Sequence, residues 1–270
     1  MHFFGEISVS LVGVIGALIA LGAFVYAGLA RELVRGGGKV SAREFGTPDL
    51  FLGSFFVIFF GAFIAKGFAA SDPRPVTKDD LLNGAVMYVA VICVIVFFLR
   101  YRGIKPSKQF GLFRLGILKT GALALGFLFA AYPLVMLAGK LTESALGSQA
   151  KEQELVRFFR TASEHSQRGA VLTTIAVGAV LAPIAEELIF RGYLYGVLKR
   201  YLGIFPAIFC SAAIFAAAHL NVTSLPALFV LALCFSLAYE ATGSLLVTMS
   251  MHGLFNLSMF LLLLNLPPTP

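Results

Sequence analysis

The sequence predicts an all-α fold: a polytopic integral membrane bundle of about eight transmembrane helices. Three observations carry this. Of the 270 residues, 59% are hydrophobic and only 13% are charged, whereas soluble domains run at about 45–50% apolar and about 25% charged. The mean hydropathy is +0.88. The apolar residues also fall into runs of about 20, the length that crosses a bilayer as a helix. Only helices and closed barrels satisfy the backbone in lipid, and these runs are too long for barrel strands.

The eight runs are 7–30, 49–70, 82–99, 115–139, 170–198, 204–220, 225–240 and 244–265. No Lys or Arg precedes the first, and it exceeds the roughly 7–15 apolar residues of a signal peptide. It is therefore expected to be a retained first span. Breaker chemistry separates the runs: "RGGGK" at 35–39, "SDPRP" at 71–75, "RGIKPSK" at 102–108, "YLGIFP" at 201–206 and "NVTSLP" at 221–226. The one long connection, about 140–169, contains Leu155, Phe158 and Phe159 at helical spacing among charges. That pattern suits an amphipathic helix on the interface, and equally a solvated connector. The chain thus divides into a four-span region (1–140), an interfacial loop (141–169) and a second four-span region (170–270).

The net charge of +7 sits mostly in loops near lipid headgroups. No loop interleaves basic residues with aromatics, so the expected partner is the lipid bilayer and not nucleic acid. Basic residues in the first, third and fifth loops outnumber those on the other side. The positive-inside rule then puts both termini outside, in the cell membrane if the source is prokaryotic. Cys93, Cys210 and Cys234 all lie in apolar runs and form neither a disulfide framework nor a zinc spacing.

Ionisable residues inside spans cost about 2.5–3.5 kcal/mol each on insertion and mark function by default. The first four spans hold almost none away from their ends; Lys66 and Lys119 are near enough to termini to snorkel. The last four hold Glu186, Glu187, Arg191, His219 and His252, with Asn256 as a further polar group. Glu187 and Arg191 are i, i+4 and share a helix face. Glu186 is about 100° away and free to point elsewhere. His252 and Asn256 are also i, i+4, as are Phe215 and His219. Counted along straight α-helices from a hairpin near Leu202 and Gly203, Glu186 and His219 fall at the same depth, about 24 Å from the turn. A carboxylate beside an imidazole can deprotonate a water. A second imidazole and an amide can stabilise an oxyanion. Glu186, His219 and His252 could also supply the three protein ligands of a catalytic zinc. The residues leave both readings open: a bound zinc, or no cofactor.

The elements "EELIFR" (186–191), "FAAAH" (215–219) and "HGLFN" (252–256) resemble the EExxxR, FxxxH and HxxxN motifs of the CPBP family. This is the CAAX-protease and bacteriocin-processing (Abi) group of intramembrane proteases. The resemblance covers about residues 170–265, and "YEATGSLL" is similar to the family's usual lead-in to the last motif. It implies an endopeptidase that hydrolyses a membrane-associated protein or peptide. Glu186 and His219 would activate water, His252 and Asn256 would stabilise the oxyanion, and Glu187 with Arg191 would support the helix. Phe215 reads as core packing. Two other classes fit membrane-embedded charges: a proton-coupled transporter, and a non-catalytic scaffold or immunity protein on the same fold.

Overall fold

A computed structural model describes residues 9–69 and 75–265. The expected turn at 71–75 falls, apart from Pro75, outside them. All the regular structure among the described residues is helical. The helices are α1 (Val9–Gly36), α2 (Thr47–Ala69), α3 (Lys78–Tyr101), the short α4 (Pro106–Gln109), α5 (Ile117–Leu146) and α6 (Glu154–Glu164). They continue as α7 (Arg168–Leu202), α8 (Ile204–Ala217), α9 (Leu225–Thr242) and α10 (Leu245–Asn265).

Among the described residues seven helices are long and apolar enough to cross a membrane: α1, α2, α3, α5, α7, α9 and α10. The chain is an integral multi-pass membrane protein. The sixth run departs from expectation. It folds as a 14-residue helix, about 21 Å long, against about 30 Å of hydrocarbon. The chain leaves the helix at Ala217, and Leu220 takes a left-handed φ of 53°. The Asn221 side chain then accepts from Ser224 N (2.9 Å), and α9 starts at Leu225, where its run was expected to begin. α5 runs further than expected, to Leu146. In the long connection α6 does form, and its apolar face turns onto the bundle: Phe159 is buried, with its ring 4.7 Å from Phe260 of α10.

Lipid contact explains the outer surface. Phe24, Phe51, Ile58, Val86 and Phe97 are all exposed on α1–α3, which would be costly in water. The core is shared between early and late helices. Phe45, Phe56, Ile95 and Leu99 pack with Phe190, Tyr193, Phe215 and Tyr239 in one buried cluster.

Two buried carboxylates strap loops to the end of the bundle that carries the α7–α8 turn. Asp49 accepts from Gly46 N (2.7 Å), Tyr193 Oη (3.1 Å) and the Arg102 guanidinium. Glu240, in α9, accepts from Lys199 Nζ (2.5 Å), the Tyr195 hydroxyl and Val40 N (3.3 Å). Lys199 also donates to Val40 O (2.8 Å). The 37–46 loop is thereby tied to both α7 and α9. A side chain at Gly38 would collide with the Glu240 carboxylate, so the loop needs glycine there. Glu240→Ala leaves Lys199 without its carboxylate. It is expected to cost about 1.5–3 kcal/mol, the size of a hydrogen bond to a charged group, read as thermal unfolding in detergent. Unchanged unfolding would show that the strap carries no stability.

Candidate active site

The site is built around α7, which is not a uniform α-helix. Val177–Leu181 and Leu188–Leu194 are π-helical turns on either side of the glutamate pair. Pro183 accounts for the first. It has no N–H to give the carbonyl four residues back, and Ala182 N bonds Val177 O, five residues back. The Gly178 carbonyl therefore loses both prospective helical donors: Ala182 is taken and Pro183 has none. Asn256 fills the gap, its Nδ2 donating to Gly178 O at 2.8 Å. In the second π turn Tyr195 N bonds Phe190 O, and Ser211 Oγ of α8 donates to the same oxygen (2.9 Å). π turns recur at functional sites; here each exposes a carbonyl to a neighbouring helix.

Glu187 and Arg191 form the pair their spacing predicts. Arg191 Nη1 donates to Glu187 Oε1 at 2.8 Å, with both side chains fully buried. The guanidinium carbon lies 4.2 Å from the centre of the Phe215 ring and 5.3 Å from that of Phe235, so aromatic faces take over part of its solvation. Glu187 Oε1 also faces His252 Nδ1 at 3.1 Å. A carboxylate only accepts, so Nδ1 carries the proton and Nε2 is left for the site.

Glu186 points elsewhere, as the helix geometry requires, and its partners come from α3 and α10. Tyr88 Oη of α3 donates to Glu186 Oε1 at 2.5 Å. Glu186 Oε2 lies 3.8 Å from His252 Nε2. Among the described residues no hydrogen bond or ion pair joins Glu186 to His219. The depth ruler assumed straight α-helices; a π turn lies between Glu186 and the hairpin, and α8 ends two residues before His219. His219 stands on the turn that follows, its Nδ1 donating to Phe215 O at 2.8 Å, which leaves Nε2 as an acceptor. The Phe215 ring centre is 4.8 Å from the His219 ring and 5.8 Å from His252. Phe215 is core, and it also spaces the two imidazoles.

Among the described residues no group of three or more His, Cys, Asp or Glu gathers in a way that could hold a metal ion. Glu186, His219 and His252 are not drawn to one point, so they do not fit a three-ligand zinc here.

Gly253 brings α10 close. Its Cβ position would lie 2.8 Å from Ala179 O in the first π turn. Any larger residue beside His252 would push α10 off α7. Sequence reasoning missed Tyr88, Glu240 and the two π turns. The signals were a hydroxyl deep in an apolar run, a carboxylate within the 225–240 run, and a proline inside a span.

The fold and the charged, buried cluster define a polytopic membrane protein with a chemically equipped interior. Residues 168–258 match the family model described as type II CAAX prenyl endopeptidase Rce1-like. That match, over about a third of the chain, bears out the resemblance drawn from the three motifs, all of which it contains. No curated protein and no solved structure matches.

Proposed function

We propose that the chain is an intramembrane endopeptidase that hydrolyses a peptide bond of a membrane-associated protein or peptide. The family match favours a lipidated, CAAX-type substrate. The observation that carries the reading is the free edge of Glu186: Oε2 faces His252 Nε2 at 3.8 Å, within reach of a single water bonding both. Glu186 takes a proton from that water as its oxygen adds to the scissile carbonyl carbon. His252, held by Glu187 and protonated on both nitrogens in this reading, donates from Nε2 and, with the second N–H of Asn256, receives the oxyanion. As the C–N bond breaks, the Glu186 carboxyl returns its proton to the leaving amine. No step passes through a metal. In this reading the end of the bundle bearing Lys39, Arg102 and Lys199 is the cytoplasmic side.

The test is cleavage of a membrane-anchored peptide library by the purified chain in liposomes, with new C-termini identified by mass spectrometry in H₂¹⁸O. Each new C-terminal carboxyl is expected to carry one water-derived oxygen, and activity is expected to survive chelation. Equal cleavage by Glu186→Ala rejects the reading. Metal content that tracks activity rejects the metal-free step.

A further inference from the structure

Tyr88 lies on α3, about 80 residues before the segment that matches the family model. Nothing in the three motifs points to it. Its surroundings on α3 are apolar: Val86, Met87, Val89 and Ala90 flank it, and Val86, Met87 and Val89 face outward to lipid. A phenol hydroxyl in such a run costs free energy unless it finds a partner. Its partner is Glu186 Oε1 at 2.5 Å, a short bond of the kind made to a charged acceptor.

The two oxygens of Glu186 are thereby made unequal. Oε1 is occupied from α3. Among the described residues Oε2 is left unbonded, on the side of His252 Nε2. A carboxylate in a helix can otherwise rotate about its side-chain torsions and offer either oxygen. A donor on a separate helix removes that freedom. Glu187, its neighbour, is fixed by a different device, the bonds to Arg191 and His252. The two adjacent carboxylates are thus oriented by independent anchors.

We infer that Tyr88 is a positioning residue for the reaction: its hydroxyl fixes the Glu186 carboxylate so that Oε2 faces the attacking water. The inference rests on the peptidase reading and adds to it a residue from the N-terminal helices. Tyr88→Phe keeps the ring and removes the hydroxyl. With a cleaved library peptide as substrate, kcat is expected to fall about 10- to 100-fold, the rate equivalent of a hydrogen bond to a charged group. KM is expected to stay at the parental value, because Tyr88 acts through Glu186 and not on the peptide. A kcat equal to the parent's overturns the inference. So does a fall in kcat matched by a rise in KM, which marks a general packing role. Fluorotyrosines at position 88 preserve the fold and vary only the acidity of the hydroxyl. A kcat that follows that acidity is expected, and one that ignores it overturns the assignment. The contact itself is read without activity: Tyr88→Phe lowers the unfolding temperature of the parent but not of Glu186→Leu, and equal losses in both backgrounds overturn it. If the parent cleaves nothing, the peptidase reading fails and the positioning role fails with it. If the parent cleaves and Tyr88→Phe matches it, the positioning role alone fails.

Discussion

Arg191→Met is expected to destabilise the protein by about 3–5 kcal/mol, because it strands a buried charge. Glu187 and Arg191 are both fully buried, and Glu187 Oε2 and Arg191 Nε and Nη2 have no hydrogen-bond partner among the described residues. The pair is therefore held by one good bond, two aromatic faces and the cost of separating it. Removing the cation leaves Glu187 with only the His252 imidazole. Removing both charges does not: Glu187→Leu with Arg191→Met fills similar volume and leaves nothing to solvate. Replacing a whole buried pair by apolar residues is often neutral or stabilising, so the double variant should unfold near the parental temperature. Thermal unfolding in detergent separates the two. A single variant as stable as the parent would mean that the pair is dispensable. The double variant should nonetheless lose activity, since His252 no longer has the carboxylate that holds its Nδ1–H.

Glu186→Gln is the second large effect. The amide is the same size and can still accept from Tyr88, so unfolding should be unchanged. It cannot take a proton from water. Removing a positioned base lowers rates by about 10²- to 10⁴-fold, and this loss is expected in kcat with little change in KM, read on a cleaved library peptide. A Gln variant that keeps parental kcat would reject Glu186 as the base. Separating stability from rate in this way distinguishes the two adjacent glutamates: position 187 should report mainly on folding and position 186 mainly on chemistry.

Much of this was legible in the residues. Composition and run length identify the helical membrane protein, and the i, i+4 relation identifies the Glu187–Arg191 pair, because both depend on local periodicity. The long ruler was a coarser tool. The predicted approach of Glu186 to His219 assumed sixteen residues of straight helix on each side of a turn. One π turn and one short helix lie along that path, and the bonds that Glu186 makes come from α3 and α10. Tyr88 was invisible for another reason: its meaning comes from which helix packs on α7, and that is tertiary information. Glu240 was different. It lies in an apolar run and obeys the same rule that singled out Glu186. Its function as a strap emerges only once Lys199, Tyr195 and Val40 are seen to converge on it.

The π turns also bear on how this helix tolerates change in length. Each holds one residue more than an α-turn over the same arc, so each is in effect an insertion absorbed without breaking the helix. Deleting a single residue from 179–181 would let that turn relax to α over the same arc and leave the faces on either side of it in place. Gly178 O would then stand four residues before Pro183, still without a helical donor, so Asn256 would keep its anchor. A one-residue deletion is therefore absorbed at this point, whereas in a plain α-turn of the same span it would swing everything before it by about 100°.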